Sequence, residues 1–300
     1  MSSLKEKLTI LVCTCDSYED LWYPFFYLLD FYWPNLDCKI ILNTETKSYS
    51  YKNLKIESYS FGPDLYGQRL LNHIKEVETP YLLLLLDDFF LRRPVDTEQL
   101  SKMIDFMDSD SEIAAMYCQE SKYVEEKDSF SSFFRMNRYS PYKLNMQAAI
   151  WRISSLLNYW RPKDNPWIWE VFVNYTTFDD KEKFYCLKDL KDSPIFYGYN
   201  PDGMGVFRGK WVIEDVQPLF EDHGLIIDYY KRGIYKKETA LSRFPVFKTM
   251  SYVFHRIPFR YAFMYSVFKI RSYILVLCGF KNRSACKNYD EYLADKYMQG

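Results

Sequence analysis

The sequence predicts an α/β fold: a mostly parallel sheet flanked by helices. Two observations predict it. Residues 82–86 are five consecutive leucines, bounded by Pro80 before them and by Asp87-Asp88 after them. An apolar run of that length, closed by a charge step, fits a strand buried on both faces. Earlier in the chain, residues 8–14 and 38–42 are two more short apolar runs, separated by an aromatic helical stretch at 21–33 that Pro34 stops. Strand, helix and strand in so short a span form a βαβ unit, and such units are parallel and right-handed in nearly all cases.

The remaining elements follow from local pattern. The polar turn 15–20 supplies N-cap residues for the first helix. Residues 55–59 read as a short strand. A helix is expected over 64–77, with Leu65, Leu70, Leu71, Ile74 and Val77 roughly on one face. Another is expected over 96–108, capped by Asp96 or Thr97, followed by a strand at 113–117. Residues 120–141 are polar and aromatic without a clear period and read as a mobile loop or an irregular hairpin. A strand is expected at 144–151, a short helix at 154–159, a loop at 161–166 and a helix at 167–173. Strand-like segments at 195–199 and 205–206 flank the turn Asn200-Pro201-Asp202-Gly203.

Composition narrows the function classes. A net charge of -1 gives no overall attraction to nucleic acid, and only 10 glycines argue against several glycine-rich phosphate loops. The seven cysteines include no C-x-x-C pair and read as reduced, mostly buried thiols of a cytoplasmic protein. The N-terminus lacks the apolar core of a signal peptide, and no uncharged apolar run approaches the roughly 20 residues that span a bilayer.

Three expected strands end in polar clusters: Thr14-Cys15-Asp16, Asn43-Thr44-Glu45 and Asp87-Asp88. In a parallel sheet all three lie on one edge, the carboxyl edge where open α/β sheets place ligands. Two adjacent carboxylates there suit a divalent cation; the plainer reading is that they cap a turn or helix.

The order of these features resembles bacterial glycosyltransferases of the GT-A fold, in the family-2-like group that builds surface polysaccharides. The resemblance covers about residues 8 to 215. It rests on the opening strand and turn TILVCTCDSY, on Gly67-Gln68-Arg69-Leu70-Leu71-Asn72, on the leucine run with Asp87-Asp88, and on Asn165-Pro166-Trp167-Ile168-Trp169-Glu170 preceded by LNMQAAIW. It implies a donor nucleotide facing Thr14, Asp16 and Glu45, with Arg69 near its diphosphate or base. It implies that Asp87 and Asp88 stand for an Asp-x-Asp metal motif, although here the acids are adjacent. Asp88 is then the main ligand of Mg²⁺ or Mn²⁺, with Asp87 beside the donor. Glu170 would be the base that accepts the acceptor hydroxyl proton, its pKa raised by burial beside Trp167 and Trp169, whose indoles would stack on acceptor sugars. Its plain alternative is a first-turn helix acid. His223 would finish the metal site; a lone histidine is otherwise a packing residue.

From 239 to 289 there is no Asp or Glu, while nine Lys and Arg are interleaved with aromatics. This suits a segment lying in the interface of an anionic membrane, or else a basic helical subdomain. The expected organisation is a GT-A-like catalytic domain at 1–225, with a nucleotide-sugar half to about 118 and an acceptor half at 119–225, then a helical, basic-aromatic region at 226–300. The expected activity is transfer of a sugar from a UDP-linked donor to a lipid-linked or glycan acceptor, with inversion, by a peripheral protein at the inner face of the plasma membrane. A sugar-phosphate nucleotidyltransferase or a non-enzymatic, membrane-bound glycan-binding protein are the alternatives; residues 13–20 lack the Gly-rich basic loop of the former.

Overall fold

The structure is a computed structural model that describes residues 3–62, 64–197, 204–236 and 246–277. After a short α1 (Leu4–Lys7) come β1 (Leu8–Cys13), α2 (Glu19–Tyr32), β2 (Ile40–Asn43), β3 (Ile56–Ser58), α3 (Tyr66–Lys75) and β4 (Tyr81–Leu86). Then follow α4 (Thr97–Ser109), β5 (Ile113–Glu120), β6 (Val124–Phe130), β7 (Phe133–Met136), β8 (Ala149–Arg152), α5 (Ile153–Tyr159), α6 (Pro166–Val171) and β9 (Lys183–Leu187). A small hairpin of β10 (Val206–Phe207) and β11 (Lys210–Trp211) leads to α7 (Ile213–Asp222), α8 (Tyr229–Arg232), α9 (Val246–Arg256) and α10 (Phe259–Leu277).

Nine strands form one sheet in the order β3-β2-β1-β4-β8-β5-β9-β7-β6. β3, β2, β1 and β4 are mutually parallel, and β5 and β9 are parallel to each other. β8 runs antiparallel between β4 and β5. This is the mixed α/β, mostly parallel, helix-flanked sheet that the sequence predicts. The leucine run is β4, and its five leucines sit between the two helical layers, which is why it shows no polar alternation. Leu83 and Leu85 join Ile10, Val12, Trp22 and Phe26 on one face, with Leu100 and Met103 of α4 and Phe220 of α7. Leu82 and Leu84 join Leu11 and Ile41 on the other, against Leu70, Leu156 and Trp169. The outer edge strand β6 carries Glu125, Glu126, Lys127 and Asp128, charges that keep a free sheet edge from pairing with another chain.

Of the two readings of residues 120–141, the irregular hairpin holds: β6–β7, with a register irregularity, is added to the sheet through β9. Other expectations change. β9 was not expected: five residues between charged neighbours carry little signal, and its strand state comes from pairing with β5 and β7 on either side. The strand expected at 144–151 begins only at Ala149. The four preceding amides are taken by side chains instead: Leu144 by Asn174 Oδ1 (3.0 Å), Asn145 by the Tyr117 hydroxyl (3.3 Å), Met146 by Glu170 Oε1 (2.8 Å) and Gln147 by Asn145 Oδ1 (2.9 Å). Residues 195–197 form no strand, and the turn expected at 200–203 lies outside the described residues.

The boundary expected near 225 is not a structural break. Leu225 packs into the first core face, and the chain then returns to the sheet's carboxyl edge, where the Trp211 amide donates to Gly233 O (2.9 Å). Val253 of α9, Ile257 between the two helices, and Tyr261 and Tyr265 of α10 complete the second core face. Arg256 is paired with the fully buried Asp164 (3.1 Å), which also accepts from the Tyr252 hydroxyl (2.7 Å).

Gly67 marks the tightest approach in this layer. A Cβ there would meet the carbonyl oxygens of Arg161 and, at 2.6 Å, Asp164. Both are backbone atoms of the loop that leads into α6, so they yield only if the loop moves. Gly67→Ala should therefore lower stability by about 1–3 kcal/mol, the usual cost of overpacking, read as a lower urea midpoint with an unchanged m-value.

Candidate functional site

The carboxyl edge of β1, β2 and β4 holds the three polar clusters together. Thr14 follows β1 with its side chain on the α2 face. Its hydroxyl donates to Asp87 Oδ2 and accepts from the Trp22 indole (2.8 Å). Asp16 opens the turn before α2. Its carboxylate accepts from the amides of Glu45 (2.9 Å) and Thr46 (3.1 Å) and from the Thr46 hydroxyl (2.5 Å), while Glu45 accepts from the Asp16 amide. Burial pushes the Asp16 carboxyl up, but these donors outweigh it and hold it below the usual carboxylate range.

Arg69 reaches this edge from α3 with its side chain only 5% exposed. It pairs with Glu45 Oε1 (2.7 Å) and donates to Asn43 Oδ1 (3.1 Å) and Thr14 O (3.3 Å). Thr14, Asp16, Glu45, Arg69 and Asp87 are thus one connected network. Asp16 and Arg69 spend their polar groups on the strand ends themselves. They tie the strand ends that the resemblance sets beside a donor.

The acid pair differs. Asp87 is buried, and Asp88, the next residue, is half-buried. Burial, then the neighbouring Asp88 charge, raise the Asp87 carboxyl well above its usual range. Burial raises Asp88 to about 7, opposed by its own backbone N–H and by Arg232. The Asp88 carbonyl accepts from the Gly205 amide (2.7 Å), which fixes the turn after β4. A Cβ on Gly205 would overlap the Phe90 ring, so only glycine fits there.

Arg232 was not anticipated. It ends α8 in an unremarkable Tyr-Tyr-Lys-Arg-Gly segment with no motif around it. It sits over the Tyr18 ring (4.3 Å to the centroid), pairs with Asp20 (3.0 Å), and donates to Ser17 O (2.9 Å). Its charge lowers the pKa of both Asp87 and Asp88. What the C-terminal end of the domain brings to the acids is therefore a guanidinium, not the expected imidazole. His223 caps the far end of α7, ten residues or about 15 Å along the helix from the end tied to Gly205. Its ring packs on Tyr27, Phe31 and Tyr32, and Nε2 meets the Tyr32 hydroxyl (2.9 Å). It is a packing residue, and the expectation that it ligates a metal with Asp88 is corrected.

Glu170 enters the same edge from the other helical layer. Asn165 caps α6 through the Ile168 amide (2.9 Å), which sets the helix that carries it. Burial raises the Glu170 carboxyl to about 7, opposed by the Met146 amide. The Tyr66 hydroxyl, beside Cys13 at the end of β1, and the Tyr117 hydroxyl, from the middle of β5, both feel its charge. Glu170 therefore lies between side chains that belong to either side of β4.

Trp169 does not face a ligand. It is wholly buried and stacks on Trp160 (4.8 Å, 15° between planes), so the stacking on acceptor sugars expected of it is corrected. Trp167, partly exposed, packs edge-on against Phe172. Aromatic surface is found instead around a cavity of about 250 Å³ at the carboxyl end of β5. It is lined by Tyr117, Gln119, Lys122, Tyr123, Tyr142 and Asn145. The buried Gln119 Nε2 and Tyr123 hydroxyl have no partner there, and Tyr142 is held in the left-handed region at φ 55°.

A divalent cation fits the acid pair in chemical kind. Its two carboxyls are hard oxygen donors, opposed by Arg232, by the Thr14 hydroxyl on Asp87 and by backbone N–H groups. Among the described residues no group of three or more His, Cys, Asp and Glu forms, so a cation here would complete its shell with water or ligand oxygens.

No protein-family model and no curated protein matches the sequence. Solved structures that align with the chain include TarS 1–349 of S. aureus, at 13% identity and a TM-score of 0.41, covering 61% of this chain and 58% of that one. The same protein in complex with UDP-GlcNAc aligns at 12% identity and a TM-score of 0.38, over 62% of this chain and 61% of that one. The galactosyltransferase LgtC, in complex with donor and acceptor sugar analogues, aligns at 9% and 0.33, over 50% of this chain and 59% of that one. The chain thus spans about three fifths of the length of these structures.

The raised carboxyls set a pH dependence. Between its ordinary range and about 7, native Glu170 keeps a proton that the unfolded chain has released, so its contribution to stability falls as pH rises. Glu170→Gln keeps an oxygen for the Met146 amide and removes that titration. In urea unfolding, the variant should gain on the parent steadily from about pH 4 to about pH 7; a constant difference would show that Glu170 titrates normally.

Proposed function

We propose that the protein transfers a sugar from a nucleotide-sugar donor, UDP-linked, to a hydroxyl of a glycan or lipid-linked acceptor in surface-polysaccharide synthesis, with inversion at the anomeric carbon. The observation that carries this reading is the acid pair Asp87-Asp88 at the mouth of the central parallel strand, with Arg232 on one side and Glu170 entering from the opposite layer. The nucleotide lies along the ends of β1 and β2, over the floor tied by Arg69. Its diphosphate meets the acid pair and Arg232. A Mg²⁺ or Mn²⁺ held by Asp88, with Asp87 beside it, supplies charge neutralisation for the leaving diphosphate.

In the transfer, the bond between the anomeric carbon and the diphosphate oxygen breaks and its electron pair leaves with the nucleotide. The acceptor oxygen forms the new bond from the opposite face, and its proton passes to Glu170. A carboxyl with a pKa near 7 is suited to take that proton at neutral pH. The acceptor is read in the cavity lined by Tyr117, Gln119 and Tyr123, where the Gln119 amide nitrogen and the Tyr123 hydroxyl lack partners. The reading includes an acceptor met at a membrane surface.

Two substitutions test the roles separately. Asp88→Asn should remove the metal-dependent thermal stabilisation by nucleotide sugars while the fold is kept; an unchanged shift would take Asp88 out of the site. Glu170→Gln should leave donor binding intact and slow transfer by about 10²–10⁴-fold; full transfer would exclude it as the base. The reading as a whole fails if the purified protein, given Mn²⁺ or Mg²⁺, neither binds nor slowly hydrolyses any of a panel of nucleotide sugars.

A further inference from the structure

The helix α10 has two unlike faces. Tyr261, Ala262 and Tyr265 are buried against the 172–178 segment, where Tyr261 stacks on Tyr175 and donates to Asp179 (2.9 Å) and Tyr265 meets Phe172. The opposite face carries Phe259, Phe263, Val267, Ile270 and Ile274, between 46% and 82% exposed. Steps of four, four, three and four residues place all five on one stripe, about 22 Å long at 1.5 Å per residue. Contiguous exposed apolar surface of this length is not left to water without a partner.

The surrounding charge says which partner. No Asp or Glu occurs from 239 to 289, against nine Lys and Arg. Two of these, Arg256 and Arg260, are engaged with Asp164 and Asp179 on the core. The rest, Lys269 on α10 among them, have no acid of their own segment to pair with. A second copy of the chain laid face to face would bring two such basic segments together. An anionic bilayer surface offers hydrocarbon for the stripe and phosphate for the cations. No helix among the described residues is long and apolar enough to cross a membrane, and Arg260, Lys269 and Arg271 interrupt α10 itself.

We infer that α10 is a membrane-docking helix, lying in the headgroup layer of an anionic leaflet with the 259–263–267–270–274 stripe facing the acyl chains. Its buried face rests on the segment that directly follows α6, the helix of Glu170. Docking therefore places the Glu170 layer of the sheet, rather than the α2 and α7 layer, next to the lipid. The inference does not depend on the reaction catalysed.

The test is flotation of the full chain with vesicles of phosphatidylcholine alone or mixed with phosphatidylglycerol. The parent should float with the mixed vesicles and bind neutral ones at least about tenfold less, and high salt should reduce the difference. The variant Phe263→Glu/Val267→Glu/Ile270→Glu alters only exposed positions and should lose at least about tenfold in partitioning. Its donor-induced thermal shift should match the parent's, which keeps this outcome separate from the fate of the transferase reading. The milder Ile270→Glu should fall between the two if the triple variant proves unstable. A parent that stays with the soluble fraction overturns the inference, as do variants that float equally, and as does a parent that forms dimers which the substitutions dissolve.

Discussion

The structure depends most on one buried guanidinium. Arg69 bonds to groups at the ends of two neighbouring strands and to the acid that follows the second: Thr14 O, Asn43 Oδ1 and Glu45 Oε1. Parallel strands meet their ligands where their ladders stop, and there the backbone has no neighbour to hold its position. Arg69 supplies that hold from a helix in the layer behind. Removing Glu45 would leave Arg69 its bonds to Asn43 and Thr14 O, and removing Arg69 would leave Glu45 its bond from the Asp16 amide, but the link between the two strand ends would be lost. Through Glu45 the hold passes to Asp16, and through Thr14 to Asp87. The three polar clusters are rigid with respect to one another, and the acid pair inherits that rigidity.

Rigidity gives the acids their chemistry. A carboxylate on a mobile turn would swing toward water and titrate normally. Asp87 is fixed under Thr14 and Asp88 is fixed by Gly205, so both remain in a poorly solvated place beside each other. Two like charges are costly there, so Asp87 holds its proton well above the usual carboxylate range. Arg232 partly relieves them, and it is itself restrained by Asp20 and Tyr18. Asp16, which stabilises the edge, has its carboxyl pulled down, whereas Asp87, Asp88 and Glu170 are pushed up.

The sheet was legible because burial on two faces leaves a plain mark: unbroken apolar runs ending in charge. The same mark placed Thr14, Glu45 and Asp87-Asp88 on one edge before any coordinates. β9 was illegible because five residues between charged neighbours owe their conformation to β5 and β7, not to themselves. His223 and Trp169 were misread for a related reason. Sequence shows residue type but not which way a helix presents it, and both proved to be packing groups. Arg232 was missed because its role arises from chain return after α7, a tertiary event with no local signature. The boundary at 225 failed likewise: a change in charge composition is not a change in packing.

The loop 144–147 carries a consequence for how such a site can diversify. Its four amides are held by Asn174, Tyr117, Glu170 and Asn145, that is, by side chains rather than by a strand partner. A strand's position is dictated by its neighbours whatever its side chains are. This loop's position is set by three acceptors outside it, on Asn174, Tyr117 and Glu170, and by its own Asn145. Met146 is buried in the second core face, which leaves the half-buried Gln147 as the residue that can be exchanged while the acceptors hold the backbone. The wall beside Glu170 can thus change in shape and polarity at Gln147 while the frame of acceptors stays fixed. A loop held in this way lets one side chain vary without moving the backbone that carries it.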